Sequence, residues 1–329
     1  MFDGSAHRSK ELGLLQIKRL LKQAKECGAV SLNFTGGEPF IRKDIYRIIA
    51  YCSDLGLPLG INTRHTFALN DISQLESSFF GRFFVSIDSH ETETAEKLAG
   101  RTDFFAKYIS GIRLLIKNGI PTSSISVINK LNVSKIDNLL EFLCGLGMTS
   151  VYLRGMDLSS ACVGEYNRGD KKKRHELLLS NSDEEFVKEK ELKWRNNFHR
   201  LEGFIEDRGA STASKMLHPR CDTLKGEIHA RPDGKVFYCA LAHDLVIGDL
   251  KKQSFKSFLD SPLLAKLARP SRQDFKGTEC FRCTLFDRCT ILGRCYKRIL
   301  RMHGKFFMPD DKFCRRFSEE RLVPTDEDQ

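Results

Sequence analysis

Seven cysteines lie in the last third of the chain: Cys221, Cys239, Cys280, Cys283, Cys289, Cys295 and Cys314. Cys27, Cys52, Cys144 and Cys162 are scattered singly ahead of them. The opening residues, MFDGSAHRSKELG, hold no apolar stretch of the kind a secretory signal carries. Where thiols are kept reduced, grouped cysteines serve metals rather than disulfides. The spacing agrees with metal binding. In Cys280-x2-Cys283 two thiolates reach one centre from a tight turn, and five residues separate Cys283 from Cys289 and five more Cys289 from Cys295. Upstream, twelve residues stand between Cys221 and Gly234 and four between Gly234 and Cys239. Such spacing serves zinc and iron–sulfur clusters alike. Seven ligands are too many for one tetrahedral zinc, but fit two four-ligand sites with one ligand supplied from elsewhere.

A second constellation lies near the start. Thr35-Gly36-Gly37-Glu38-Pro39 follows the short apolar run Val30–Phe34 directly. Two glycines let the backbone turn sharply and approach a ligand closely. Glu38 sits at the C-terminal end of a strand, where β/α folds bind ligands. Pro39 keeps the residue before it out of helical geometry. A carboxylate with exposed backbone carbonyls suits a ligand carrying an ammonium group. Gly-Gly is also common in plain turns, so this motif alone is ambiguous.

The elements that position these groups follow from hydrophobic periodicity. Helices are expected at Lys10–Cys27, Asp44–Leu55, Thr102–Asn118 and Lys135–Leu146, each closed by a glycine (Gly28, Gly56, Gly119, Gly147). A helix-like stretch surrounds Ile72–Ser77. Strands are expected at Val30–Phe34, Leu59–Asn62, Phe83–Ile87, Ser124–Ile128 and Ser150–Leu153. Strand and helix alternating at this pitch mean right-handed βαβ units and a parallel sheet. Five strands are counted, yet the chain opens on a helix where such a domain normally opens on a strand. Residues 156–220 are charged, with one helical stretch around Trp194, and read as a linker or insertion. Residues 319–329 read as a disordered tail.

Bulk properties exclude little. At 329 residues, 41% hydrophobic and 29% charged, the chain is long enough for a large and a small domain. No stretch reaches the 18 or more apolar residues of a membrane span. A cytoplasmic location follows by default. The net charge of +10 is spread along the chain, with one tight run at Lys171–Arg174, and reads as a solvated basic face rather than a nucleic-acid surface.

The run Ser31–Asp44, SLNFTGGEPFIRKD, resembles the second strand and GGEP loop of the radical S-adenosylmethionine (radical SAM) superfamily. Asn62-Thr63 resembles the family's third-strand position, and Ser86 and Asp88 in VSIDS its fourth. SVINKLN at Ser126–Asn132, with the helix and LGMTSVYL after it, is also similar. The cysteines resemble the SPASM domain, an auxiliary-cluster module, save that five rather than three residues separate Cys289 from Cys295. The resemblance implies that Gly36, Gly37, Glu38, Pro39, Asn62, Ser86 and Asp88 bind SAM. It implies one [4Fe–4S] cluster on Cys280, Cys283, Cys289 and Cys314. A second falls to Cys221, Cys239 and Cys295, with Asp222, His229, His243 or substrate as fourth ligand.

The fold so implied is a partial (β/α)6 barrel lacking its first strand over residues 1–155, and a SPASM domain over 221–318. The implied parent activity is reductive cleavage of SAM to a 5′-deoxyadenosyl radical that modifies a peptide, a protein or a small molecule. Electrons would come from a flavodoxin or ferredoxin. The family's CxxxCxxC motif occurs nowhere in the 329 residues. By the family's spacing its third cysteine falls just before Met1. The expectation is a late start codon or a shortened gene, with the SAM-binding cluster present only in a longer form and this chain inactive without it. The rival reading is a non-catalytic iron–sulfur or zinc protein that binds a peptide or partner.

Overall fold

The computed structural model describes residues 11–76, 81–156, 176–203, 227–237, 239, 246–287, 289, 295–310 and 314. They fall into two compact units, the described residues of Gly13–Glu206 and those of Asp207–Gln329, the latter joined by residues 11–12.

The first unit alternates helix and strand: α1 (Leu14–Glu26), β1 (Leu32–Phe34), α2 (Ile45–Asp54), β2 (Leu59–Thr63), α3 (Leu69–Glu76), β3 (Gly81–Ser86), α4 (Thr92–Ala99), α5 (Phe105–Lys117), β4 (Thr122–Ile128), α6 (Ile136–Gly145), β5 (Ser150–Gly155), α7 (Asn181–Trp194) and β6 (Arg200–Glu202). The six strands form one sheet in the order β1-β2-β3-β4-β5-β6, every pair parallel. Sequential parallel strands joined by right-handed crossovers carry all their helices on one face. The cores confirm that placement. Leu59, Ile61 and Phe83 pack with Ile48, Ile49 and Leu115. Val85, Val151 and Leu153 pack with Tyr108, Ile112 and Leu143. Each such side chain contributes about 1.5–3 kcal/mol by leaving water. The alternate residues Asn62, Phe84, Ser86, Ile125 and Tyr152 are only half-buried and point to the opposite face, which is helix-free among the described residues of this unit. β1 pairs with β2 alone among the described residues.

The sheet extends beyond the five expected strands. β6 pairs with β5, placing Leu201 opposite Val151, and α7 returns against α6. Residues 181–202, read from sequence as connector, are thus part of the first unit. The reason they read so is physical. Among the described side chains of α7 only Val187 and Glu191 are buried, so no apolar stripe marks the helix. Polar pairs hold it instead: Trp194 Nε1 donates to Asp137 Oδ1 at 2.7 Å, Lys190 and Lys193 flank the same carboxylate, and Lys130 pairs with Asp183. Helix α4 was also absent from the sequence reading. It ends on Gly100, in the left-handed region at φ 62°.

The second unit opens with an antiparallel sheet of β7 (His229–Ala230), β8 (Lys235–Phe237) and β9 (Val246–Asp249). Arg231-Pro232-Asp233-Gly234 makes the first turn, where Gly234 takes φ 85°. Helices α8 (Phe255–Leu259), α9 (Pro262–Ala268) and α10 (Tyr296–His303) follow. Among the described residues no helix is long and apolar enough to cross a membrane.

Candidate functional site

The C-terminal rim of the parallel sheet gathers most of the residues singled out from the first motif. Gly36 stands just after β1 at φ 110°, a conformation closed to ordinary side chains. A Cβ at Gly36 or Gly37 would meet nothing within 4 Å, so the loop faces open space. Backbone freedom, not crowding, is what demands glycine at Gly36. Pro39 begins a single 3-10 turn, Pro39–Ile41, with Glu38 as its cap.

Glu38 does not point its carboxylate outward. Oε1 accepts from the Phe40 amide at 3.2 Å and from Thr63 Oγ1 at 2.7 Å, while Oε2 accepts from the Arg64 amide at 2.8 Å. The glycine loop is thereby fastened to the end of β2. This carboxylate is therefore taken up by its own chain.

The fastening continues sideways. Arg64 Nη2 donates to Asp88 Oδ2 at 2.7 Å, beyond the end of β3. Asp88 Oδ1 accepts from the Val127 amide at 2.8 Å, and Asn132 Nδ2 donates to the Asp88 carbonyl at 2.7 Å. From α5, the Tyr108 hydroxyl reaches the carbonyls of Thr63 (3.3 Å) and Ser86 (3.2 Å). Four strand ends are therefore joined by one polar chain. Burial pushes the Asp88 carboxyl above the usual carboxylate range, with Arg64 and the Val127 amide pulling the other way. Burial likewise drives the Tyr108 phenol well up.

Asp88 is thus only 8% exposed and occupied by its own chain, whereas Asn62 and Ser86 stand on the helix-free face. Asn62 is opposite Phe84 and Ser86 opposite Ile125, which makes Asn62 and Ser86 diagonal neighbours across β2 and β3. Asn62 Oδ1 is buried and has no hydrogen-bond partner. A buried acceptor left unpaired costs about 1–3 kcal/mol, which a ligand donor would recover. Sequence reading placed Thr63 and Asn132 within resembling runs without giving them a role, and missed Arg64 and Tyr108. No one-dimensional signal marks Arg64 or Tyr108, because their partners lie 22 to 45 positions away.

In the second unit, Cys280 and Cys283 line one apolar cluster with Phe275, Phe286 and Phe307. The turn that presents them is closed by the Cys283 amide on the Cys280 carbonyl at 3.3 Å, and Arg272 Nη1 caps the Cys283 carbonyl at 2.8 Å. Cys289 is buried, its amide on the Leu285 carbonyl at 2.8 Å. Cys239 borders a neighbouring cluster of Leu267, Tyr296 and Ile299 that also meets Phe307. Cys295 is the N-cap of α10, and the Cys314 amide donates to the Asp310 carbonyl at 2.8 Å. His229 stacks on Phe237 at 5.8 Å. Cys221, Asp222 and His243 lie outside the described residues. Among the described residues no three His, Cys, Asp or Glu side chains gather as a site for a single ion.

A sequential parallel sheet with a glycine loop on its rim, followed by a cysteine-dense unit, defines a β/α cofactor-binding protein with a soft-metal module. Comparison with known families makes the class specific. Residues 3–143 match the radical SAM superfamily, and residues 221–284 match SPASM, the iron–sulfur cluster-binding domain. The chain thus carries a radical SAM domain over residues 3–143 and a SPASM domain over residues 221–284. It is 22% identical over 320 residues to an AdoMet-dependent heme synthase of Methanosarcina barkeri, covering 92% of this chain and 87% of that one. A probable GTP 3′,8-cyclase of Saccharolobus islandicus is 25% identical over 252 residues, 74% of this chain and 79% of the relative. In three dimensions the chain resembles Streptococcus suis SuiB bound to its precursor peptide SuiA. The TM-score is 0.68 at 17% identity, covering 92% of this chain and 69% of SuiB.

These families imply SAM and [4Fe–4S] clusters as cofactors. The residues present fit both. The rim offers an unpaired buried acceptor on a sheet whose glycine loop has open space beside it, which suits the amino and hydroxyl groups of SAM. The second unit offers thiols beside aromatic and aliphatic walls, the soft donors and dry surroundings that iron–sulfur clusters take.

Proposed function

We propose that this chain binds SAM on the sheet rim, through the Gly36–Gly37 carbonyls, Asn62 and Ser86, with Glu38, Pro39 and Asp88 holding the rim in shape. Two auxiliary [4Fe–4S] clusters are held by Cys280, Cys283, Cys289 and Cys314, and by Cys221, Cys239, Cys295 and one further ligand. The auxiliary clusters would supply one-electron transfer, and reductive cleavage of SAM would need in addition a cluster on a CxxxCxxC segment, which these residues do not contain. The parent activity is radical modification of a peptide or protein in the cytoplasm, with electrons from a flavodoxin or ferredoxin. SuiB, whose fold this chain shares, is seen bound to a precursor peptide, and that favours a peptide here. The heme synthase likeness keeps a tetrapyrrole as the competing substrate.

The unpaired Asn62 oxygen on the rim is the observation that carries this reading. The chain's own residues bind and orient SAM, and the helix-free face beside Ser86 and Ile125 receives the substrate. Because the 329 residues contain no CxxxCxxC, they hold SAM without cleaving it.

Anaerobic reconstitution tests the scheme. The chain should take up iron and sulfide and bind SAM by calorimetry, and Asn62→Ala should weaken that binding by about tenfold, one hydrogen bond's worth. No 5′-deoxyadenosine should form until a CxxxCxxC segment is joined ahead of Met1. A folded, colourless protein without iron, or SAM binding indifferent to Asn62, would defeat the proposal.

A further inference from the structure

Helix α10 starts on Cys295, and its N3 position is Arg298. In a capping box the N3 side chain accepts the N-cap amide. Arginine has no acceptor, so it cannot. The task passes to Asp310, twelve residues away. Asp310 Oδ2 accepts the Cys295 amide at 3.0 Å, and Arg298 grips the same carboxylate at both oxygens, Nε to Oδ1 at 2.7 Å and Nη2 to Oδ2 at 2.5 Å. The Asp310 carboxylate is fully buried, so this grip is shielded from water. The same residue's main-chain carbonyl accepts the Cys314 amide at 2.8 Å. His303 Nε2 lies 3.1 Å from the Pro309 carbonyl, securing the strand of chain that delivers Asp310.

We propose that Asp310, locked by Arg298, is a positioning residue shared by both auxiliary clusters: its carboxylate sets the turn bearing Cys295, and its carbonyl the turn bearing Cys314. This rests on the ligand sets proposed above, which assign Cys295 to one cluster and Cys314 to the other. A fixed amide restrains the direction of the Cα–Cβ bond beside it, and so confines each sulfur to the few positions its χ1 rotamers allow. One carboxylate then sets the separation of two ligands that belong to different clusters. The guanidinium, held beside Cys295, also places a positive charge near that cluster's thiolates.

The test uses the whole chain, reconstituted without oxygen. Iron and sulfide are counted, iron release to a chelator is timed, and the reduced protein is examined by electron paramagnetic resonance. Cys295→Ser and Cys314→Ser should each alter one of two cluster signals, and a different one. Asp310→Ala should alter both and speed iron release by about tenfold or more, the usual cost of losing a group that orients metal ligands. Asp310→Asn keeps an oxygen for the Cys295 amide but loses the ion pair, so both signals should shift with a smaller gain in release. If Asp310→Ala does not fold by circular dichroism, Asp310→Asn decides alone. Unchanged signals and release rate, or a change in one signal only, overturn the proposal. Should the unaltered chain take up no iron, or the two serine variants leave its iron intact, the ligand sets themselves fall, and Asp310 with them.

Discussion

Glu38 and Asp88 are both carboxylates at strand ends, and both spend their charge on their own chain. Three donors converge on Glu38, and Asp88 is gripped by Arg64 and by the Val127 amide. Sequence alone could place them on the rim but could not tell a ligand-facing carboxylate from a braced one, because the donors come from other strands. Arg64 is the residue on which the brace turns. Its amide serves Glu38 and its guanidinium serves Asp88. Replacing it with methionine leaves Asp88 buried beside no charge. Arg64→Met should therefore cost about 3–5 kcal/mol in denaturant unfolding. Adding Asp88→Asn to that variant should return part of the loss, since a neutral amide is less costly to bury than a lone carboxylate.

Elements differ in what makes them form, and that decides which could be read in advance. Helices α1, α2, α5 and α6 each carry an apolar stripe and all were legible to within a few residues. The strands β1–β5 were legible as short apolar runs between glycines. For α7 only a helical stretch around Trp194 was legible, at Phe186–Phe204 and so displaced toward the C-terminus, and β6 was not legible, because ionic pairing replaces apolar repetition there. That substitution has a pH signature. The Lys130 ammonium and the Ser180 hydroxyl hold the Asp183 carboxyl down to about 2. A depressed carboxyl adds stability that is present above its ordinary value of 3.8 and fades as pH falls toward 2. Lys130→Met should flatten that acid limb by lowering the neutral plateau toward the level found at low pH, and only slightly, because the pair is solvent-exposed. Within α5 a different constraint applies. A Cβ at Gly111 would lie 2.6 Å from the Phe67 amide nitrogen and 2.8 Å from its carbonyl oxygen. Alanine would gain about 1 kcal/mol of helix propensity but incur about 1–3 kcal/mol of overpacking against backbone that cannot step aside. Gly111→Ala should thus lower the melting temperature, against the usual expectation for a helical glycine.

At the scale of the whole molecule, the cysteine spacing announced the second unit, and only the assembled chain shows how its turns are linked. The tie between Cys295 and Cys314 through Asp310 could not be read from spacing, since an aspartate among many charged residues carries no mark. The first unit divides its labour by face. Ile61, wholly buried toward the helices, should cost about 2–5 kcal/mol as alanine. Ile125, half-buried on the opposite face, should cost less than half of that in the same unfolding measurement. A sheet armoured on one side only is free to be rewritten on the other. Phe84, Ile125 and Tyr152 form a palette whose exchange should leave the scaffold standing, one surface being repainted while the girders behind it stay in place.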